Sequence, residues 1–295
     1  MRMNVRTTTV SPTKPFSLEM SSGFLCRFPA TLGEQITEPN RMVKAWRIGD
    51  QTVAADVSQK AGGDLEVRLI SEAEIDDHTA DQLLDRVTFY LSLDDDVAEL
   101  YSLAEGDGPF GNLIRRARGY HQVKIPSPGE HLCWAILAQR VPMALAKKMK
   151  ASIVARFGNV VEVDGKTLVA FPSVEQLATL LEEEWMQLVG NARKATYLFG
   201  SIQKFAKVPE VFLRKAPFDD VEKFLLSLPG IGPWSASFLM VRGLGRMDRM
   251  PADAEALRAA SRVYGRPVDE AEFQRLADRY GEWRGYWGHY LRAFA

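Results

Sequence analysis

The sequence predicts an α+β protein, in which an N-terminal antiparallel β-sheet with a covering helix is followed by an all-helical region. Short β-rich segments separated by turn residues fill roughly the first 75 positions. From residue 78 onward, apolar residues instead recur at helical spacing. We therefore expect an α+β domain over residues 1–93 and a helical region over residues 94–295, the latter forming two subdomains around a cleft.

The predicted sheet is an antiparallel meander. Its candidate strands are FLCRF (24–28), MVKAWRI (42–48), QTVAADV (51–57) and LEVRLI (65–70). Turn residues separate them at GD (49–50) and AGGD (61–64). Residues 78–93 place Leu83, Val87 and Leu91 on one face of a helix, which would cover the sheet. The first 17 residues lack the apolar segment of a secretory signal, and we expect them to form a loosely ordered leader.

The rest of the chain is predicted to be helical apart from one excursion. Residues 130–158 form a long apolar-periodic stretch that Pro142 should kink or split, because proline removes a backbone donor and clashes with the preceding turn. Residues 160–173 indicate a short hairpin or loop. Ser173 and Gln176 form a capping-box pattern, and further helices are expected over residues 191–207 and 218–228.

Composition excludes several classes of protein. With 46% hydrophobic and 25% charged residues, the chain is of ordinary globular type, and it has no apolar run long enough to span a membrane. Cys26 and Cys133 lie far apart, which argues against a disulfide framework, a zinc site or a four-cysteine cluster and favours a reducing, cytoplasmic compartment. Residues 1–118 carry a net charge of −6 and residues 119–295 a net charge of +5, so either the C-terminal part faces an anion or the asymmetry is surface variation.

The most informative segment is FLLSLPGIGPWSASFLM (224–240), which predicts a helix, a tight hairpin and a second helix. Gly230 and Gly232 permit positive φ, and Pro233 suits the first position of a helix. Exposed amides at such a helix start can hold a DNA phosphate, although a purely structural turn between helices explains the glycines equally well. Further along, Asp253 stands before another helical run, where a carboxylate is usually a cap.

LPGIGPWSASFLM (228–240), the Gly-rich stretch that follows and Asp253 together resemble the helix-hairpin-helix–Gly/Pro–Asp superfamily of base-excision DNA glycosylases. Within it, the chain is most similar to the bacterial 3-methyladenine DNA glycosylase II family. Supporting segments are LLDRVTFYLSLDDDVAELY (83–101), CWAILAQRV (133–141), GNARKATYL (190–198) and YGEWRGYWGHYL (280–291). The resemblance implies a helical glycosylase core and the excision of alkylated bases, such as 3-methyladenine and 7-methylguanine, from double-stranded DNA.

The resemblance also implies roles for particular residues. Asp253 aligns with the catalytic aspartate of the family. The DNA-binding candidates are Gly230, Ile231 and Gly232 in the hairpin, Gln139 and Arg140 in a loop that fills the gap left by the flipped base, and Arg246 beside the Gly-rich stretch. A monovalent cation could join the hairpin to a phosphate through the carbonyls of Leu228 and Ile231; no cofactor or other metal is expected.

Trp234 decides the type of chemistry that is expected. Bifunctional relatives carry a lysine nucleophile two residues after the second hairpin glycine, and in this chain that position is Trp234. Without an amine there, no Schiff base can form, so we expect a monofunctional enzyme that hydrolyses the N-glycosidic bond.

The expected base pocket contains Trp234 and, one turn on, Phe238, although an aromatic pair at this spacing is more often core packing. Ala254 and Arg292 occupy pocket positions where the nearest relatives have aromatic residues, which predicts a wider pocket and a broader range of lesions. The C-terminal aromatics either compensate or form a core stripe; they are Trp283, Tyr286, Trp287 and Tyr290.

Three alternative functions remain open from the sequence: a non-catalytic DNA-binding protein, a glycosylase of the same superfamily for oxidised or mismatched bases, and a structural α+β protein. We expect a monomer that binds damaged duplex DNA and no membrane.

Overall fold

The computed structural model of the protein describes residues 3–295. As predicted, an N-terminal antiparallel sheet precedes a helical region. The sheet has the strand order β1-β5-β4-β3-β2, and every neighbouring pair is antiparallel. Its strands are β1 (Asn4–Val10), β2 (Gln35–Glu38), β3 (Arg41–Ile48), β4 (Gln51–Gln59) and β5 (Leu65–Ser71). Three of them coincide with segments whose alternating apolar residues predict strands.

Two predictions at the N-terminal end are wrong. The expected leader contains β1, which pairs along its whole length with β5 from Asn4–Ser71 to Val10–Leu65. The segment FLCRF is not a strand: its first residues end helix α1 (Leu18–Leu25). Ser17 caps α1 by accepting from the amide of Met20, and the buried positions of α1 follow helical spacing, which outweighs the β-rich composition of the segment.

Both faces of the sheet are covered. Helix α2 (Asp77–Leu91) buries Leu83, Val87 and Leu91 in the same core as the inner face of the sheet. The predicted excursion is the hairpin β6 (Val160–Val163) and β7 (Lys166–Val169), whose Val161 and Val163 pack in the cluster that contains Val43 of the outer face. The hairpin therefore fastens the helical region to the sheet.

Most of the remaining chain is helical, and Pro142 separates two helices as predicted. The capping box of Ser173 and Gln176 is also formed, with both hydrogen bonds present. These helices are α3 (Ala98–Ala104), α4 (Gly108–Arg116), α5 (Pro128–Leu137), α6 (Met143–Phe157), α7 (Val174–Ala178), α8 (Glu182–Val189), α9 (Ala192–Phe205), α10 (Glu210–Lys215), α11 (Phe218–Leu226), α12 (Pro233–Phe238), α13 (Ala254–Tyr264), α14 (Glu270–Asp278) and α15 (Arg284–Phe294). A π-helical turn, Leu239–Gly243, continues α12.

Two large cores organise the molecule. The first joins the sheet and α2 to α4 and to α13–α15, and it contains the fully buried rings of Trp287 and Tyr290. The second joins α5–α12. The first core contains residues from before and after residue 93, so this core does not separate the two expected domains. The boundary at residue 93 stays a prediction. Within residues 3–295, no helix is both long and apolar enough to cross a membrane.

Candidate active site and nucleic-acid interface

The turn between α11 and α12, Leu228–Gly232, is held in place by its neighbours. Gly230 has a φ of +79°, and a Cβ added there would lie 2.4 Å from the ring of Tyr197, so both backbone and space require glycine. The side-chain amide of Gln139 donates to the carbonyl of Gly230 at 2.8 Å. Gly232 is exposed and precedes Pro233, the first residue of α12. The first amides of α12 therefore have no side-chain cap and remain available to an anion.

Asp253 begins α13, and its carboxylate is held from four directions. Oδ1 accepts from the amides of Glu255 at 3.1 Å and Ala256 at 2.9 Å, which is an ordinary helix cap. The same oxygen lies 2.6 Å from a guanidinium nitrogen of Arg292. Oδ2 accepts from the indole N–H of Trp234 at 2.9 Å. The cap predicted for Asp253 therefore exists, and the carboxylate also connects α12, α13 and α15.

These contacts keep the carboxylate ionised. Partial burial by itself favours the neutral acid, but the donors on Arg292, Ala256 and Trp234 outweigh it and lower the pKa of Asp253 below its ordinary value. Asp253 is therefore a fixed negative charge at neutral pH and not a proton donor.

Asp253 faces a cavity of about 220 Å³ that opens beside the hairpin. The indole of Trp234 stacks on the ring of Phe238, with centroids 5.2 Å apart and planes 23° apart, and both line one wall. Phe24 and Phe28 also line the cavity, although they are far from α12 in sequence. Phe24 lies near the end of α1 and Phe28 in the turn after it. Trp234 remains 53% exposed, so one aromatic face is free to meet a ligand.

Sequence reasoning identified only part of this cavity. One wall consists of residues at helical spacing on α12 and its π-helical extension, and the sequence predicts two of them, Trp234 and Phe238. The residues of this wall are Trp234, Ser237, Phe238, Val241 and Arg242. Extending the spacing by another turn would have found the last two. Phe24 and Phe28 were missed because their segment was assigned to a strand, although an aromatic pair four residues apart is a helical signal.

Arg242 forms a buried cationic wall of the cavity. Its guanidinium lies 5.1 Å from the ring of Phe24 and 4.8 Å from the ring of Phe28, within reach of a cation–π interaction. One guanidinium nitrogen contacts the imidazole of His289, which burial and the nearby Arg242 charge keep neutral by lowering its pKa well below the usual range. Arg242 is therefore buried and lines the cavity.

Other predicted residues lie elsewhere. Ala254 is exposed and is not part of the cavity wall. Arg246, which was expected to contact a phosphate, donates one guanidinium N–H to the carbonyl of Ala216 at 2.8 Å. That part of the guanidinium already has a partner within the protein. Lys150 is buried and donates to the carboxylate of Glu130.

The loop after α5 places its two candidates differently. Gln139 faces inward and buttresses the hairpin, whereas Arg140 is exposed. Arg140 has a φ of +51°, which is unusual for a residue with a side chain and indicates local strain. Among residues 3–295 it has no hydrogen-bond or ion-pair partner. Arg140 is thus a free cation at a loop tip near the hairpin.

The chain matches a family model along half of its length. Residues 133–281 match the HhH-GPD superfamily base excision DNA repair protein. The matched region contains the hairpin and Asp253. The chain therefore belongs to the HhH-GPD superfamily of base excision DNA repair proteins, and its assignment as a DNA glycosylase is confirmed at the level of that superfamily.

Individual relatives cover almost the whole chain. A DNA-3-methyladenine glycosylase of Bacillus subtilis is 26% identical over 282 residues, which is 94% of this chain and 93% of that protein. The solved 3-methyladenine DNA-glycosylase from Archaeoglobus fulgidus superposes with a TM-score of 0.75 at 24% identity, over 97% of each chain. An 8-oxoguanine glycosylase/lyase of Clostridium acetobutylicum superposes with a TM-score of 0.70 at 18% identity, over 100% of this chain and 99% of that one. One fold thus carries relatives named for different bases, and at these identities the superpositions establish the fold alone.

Proposed function

We propose that the protein is a monofunctional DNA glycosylase that removes alkylated bases, such as 3-methyladenine and 7-methylguanine, from double-stranded DNA. One observation carries the proposal: the ionised carboxylate of Asp253 and the exposed indole of Trp234 meet in one cavity beside the glycine hairpin. The name of the Bacillus subtilis relative agrees with this class of substrate.

The chemistry follows from the charge of Asp253. A base must leave the duplex stack to enter a cavity of this kind. As the bond from C1′ to the base nitrogen breaks, the sugar becomes positively charged, and a fixed carboxylate beside it stabilises that charge. Oδ2 accepts from Trp234 alone among the described residues, so its other lone pair is available to orient the attacking water. Asp253 acts as a carboxylate throughout, in agreement with its lowered pKa.

The aromatic walls suit an alkylated purine. N-alkylated purine nucleotides carry a positive charge on the base, which makes the base a good leaving group. The faces of Trp234 and Phe238 attract such a charge by cation–π interaction, whereas the rings of Phe24 and Phe28 already contact the guanidinium of Arg242. The aromatic pair from α1 supplies contacts beyond those expected from the sequence.

The absence of strand cleavage is proposed from Trp234. Its indole occupies the position of the lysine nucleophile in bifunctional relatives, and none of the described residues lining the cavity is a lysine. Without a primary amine beside C1′, the abasic site formed by hydrolysis is the final product.

The DNA grip is proposed to combine the hairpin amides of Gly230–Gly232 with Arg140. A phosphate would accept from the uncapped amides of α12, and a cation held by the carbonyls of Leu228 and Ile231 would add positive charge beside it. Arg140 projects from a loop that Gln139 ties to the same hairpin, so its guanidinium can enter the space left by the flipped nucleotide. We propose that a monomer carries out both steps.

The test uses a duplex with a single 7-methylguanine, and it measures the freed base and the strand lengths separately. We expect base release with intact strands, and breaks only after alkali treatment. Asp253→Asn should abolish release while leaving affinity for an abasic-site duplex within about threefold, because the amide cannot stabilise the sugar cation. Asp269→Asn is a matched control, because Asp269 caps α14 through the amide of Glu272 and lies outside the cavity.

Other outcomes would favour other functions. Binding of the abasic-site duplex without release of any base would identify a non-catalytic DNA-binding protein. Release of 8-oxoguanine but not of 7-methylguanine would place the chain among glycosylases for oxidised bases. Strand cleavage without alkali would contradict the monofunctional mechanism.

A further inference from the structure

Helix α9 contacts both of the elements that are proposed to hold DNA. The ring of Tyr197 packs against Gly230 of the hairpin, and the hydroxyl of Ser201 donates to the carbonyl of Pro229 at 2.7 Å. Lys194 lies one turn before Tyr197 on the same face of the helix. Its side chain reaches the other element, the loop after α5.

Lys194 is a buried ammonium group whose acceptors are backbone carbonyls. It is 6% exposed, and Nζ donates to the carbonyl of Ile136 at 2.7 Å and to the carbonyl of Gln139 at 2.9 Å. Within residues 3–295 it forms no ion pair with a carboxylate. Both carbonyls lie at the C-terminal end of α5, where a positive charge is favourable. Burying an ammonium without a carboxylate is costly, and here it fixes the end of α5 and the loop that follows.

The second of these hydrogen bonds bears directly on Arg140. The carbonyl of Gln139 belongs to the peptide unit that ends at the amide of Arg140, so Lys194 fixes the plane from which the φ angle of Arg140 is measured. That angle is +51°, which is unfavourable for a residue with a side chain. The side chain of Gln139 is held as well, by the carbonyl of Gly230 at 2.8 Å. Arg140 is therefore positioned through the residue that precedes it.

We propose that Lys194 is a positioning residue, which holds Arg140 in its left-handed conformation at a fixed distance from the hairpin, so that gap filling and phosphate binding occur together. This inference rests on the proposed function, since it requires Arg140 to enter the space left by a flipped nucleotide. Lys194 acts through the backbone of the loop and contacts no nucleotide itself. Without it, the loop is free to move, and ordering the loop on DNA then costs conformational entropy.

A gap in the duplex separates this role from a general contribution to DNA affinity. Phosphate contacts form on damaged and undamaged duplexes alike and carry no information about a missing base. An abasic-site duplex contains a gap, whereas an undamaged duplex of the same sequence has none until a base is flipped. The dissociation constant for the undamaged duplex divided by that for the abasic-site duplex therefore measures gap filling apart from the grip on the backbone.

The test measures this ratio by fluorescence anisotropy at one salt concentration. Lys194→Met, which keeps the side-chain length and removes the donors, should lower the ratio by about 10-fold, the effect of losing one hydrogen bond to a charged group. Arg140→Ala should lower it at least as much. The combined variant should give the same ratio as Arg140→Ala alone, because a residue that acts through Arg140 has no effect once that side chain is gone. Lys194→Gln keeps a neutral donor and should give an intermediate ratio, and it replaces the methionine variant if that one does not fold.

Lys204→Met is the matched control. Lys204 lies on the same helix and donates to the carbonyl of Ser227 at 2.8 Å, before the hairpin, so its loss should change both affinities by the same factor and leave the ratio unchanged. A loss of folded protein also cancels from the ratio. Equal weakening of both duplexes in Lys194→Met would overturn the inference. So would a further fall in the ratio when Lys194→Met is added to Arg140→Ala.

Two results would reach beyond Lys194. If Arg140→Ala leaves the ratio unchanged, Arg140 does not fill the gap, and the inference is wrong together with that part of the proposed grip. Release of 7-methylguanine by the wild-type protein tests the proposed function separately. A wild-type protein that releases the base but shows no preference for the abasic-site duplex would contradict the inference alone.

Discussion

Gly230→Ala tests whether the hairpin conformation is required for both folding and DNA binding. The substitution adds one methyl group where the backbone is left-handed and where the ring of Tyr197 occupies the space. Gly265→Ala is the matched control. Gly265 follows α13 with a φ of +65°, and a Cβ added there meets no atom within 4 Å.

The structure gives a different expected cost for each variant. Left-handed backbone costs a residue with a side chain about 1–2 kcal/mol, and both variants incur this cost. Only Gly230→Ala also overlaps a neighbour, since the new Cβ would lie 2.4 Å from Cδ2 of Tyr197. Displacing the ring or the hairpin adds about 1–3 kcal/mol. We therefore expect Gly230→Ala to lower the free energy of unfolding by about 2–5 kcal/mol and Gly265→Ala by about 1–2 kcal/mol.

Urea denaturation measures these free energies, and titration with an abasic-site duplex measures DNA affinity. Affinity should fall only in Gly230→Ala, because the displaced hairpin no longer presents its amides in the geometry that a phosphate requires. Equal losses of stability in the two variants would refute the confinement of the hairpin by Tyr197. A stable Gly230→Ala variant with unchanged affinity would refute the hairpin as a DNA contact.

The remaining predictions concern charge. Because the pKa of Asp253 is lowered, its ionised form persists into acid, and the rate of base release should fall only as the pH drops below the ordinary carboxylate range. Trp234→Phe removes the donor to Oδ2 of Asp253 while keeping an aromatic ring, so the pKa of Asp253 should rise. The acid-side fall in the rate of base release should then move to higher pH. An unchanged pH–rate profile would contradict the role of the indole. Lys150→Met removes the ammonium partner of Glu130 at 2.7 Å and the nearer of the two lysines that pair with Glu34, at 2.6 Å, and should cost about 3–5 kcal/mol in urea denaturation. An unchanged midpoint would mean that the cluster is not coupled to folding.

Much of the fold could be predicted because local patterns and tertiary packing agree. Strands β3, β4 and β5 combine β-rich composition with turn residues between them. A proline interrupts a helix through its own covalent structure, so the break at Pro142 needs no tertiary information. Strand β1 was missed because it is an exposed edge with little apolar periodicity, and its pairing with β5 is a long-range contact. The β-rich composition of FLCRF (24–28) predicts a strand, whereas the segment holds the end of helix α1, which begins after its cap Ser17.

The site divides in the same way. Asp253, Trp234 and the hairpin could be predicted because they lie in one short segment with a recognisable spacing. Arg292 was expected in the pocket, but its ion pair with the carboxylate requires the C-terminal helix to cross the start of α13, which no local pattern specifies. Phe24 reaches the cavity from more than 200 residues away in sequence. The sequence can therefore name the groups that react more readily than the groups that select the base.

A single helix links the proposed grip on DNA to the proposed base pocket. Helix α12 begins at the hairpin, and its cavity-facing stripe runs from Trp234 to Arg242 over the π-helical turn. With a rise of about 1.5 Å per residue, the first aromatic wall lies within one turn of the uncapped amides. The π-helical turn widens the helix locally, and Gly243 within it allows the buried imidazole of His131 to approach where a Cβ would lie 2.1 Å from it. A phosphate bound at the start of this helix would therefore fix the position of the neighbouring nucleotide relative to the aromatic wall, because both lie on the same helix. DNA binding and base selection would then depend on one rigid element.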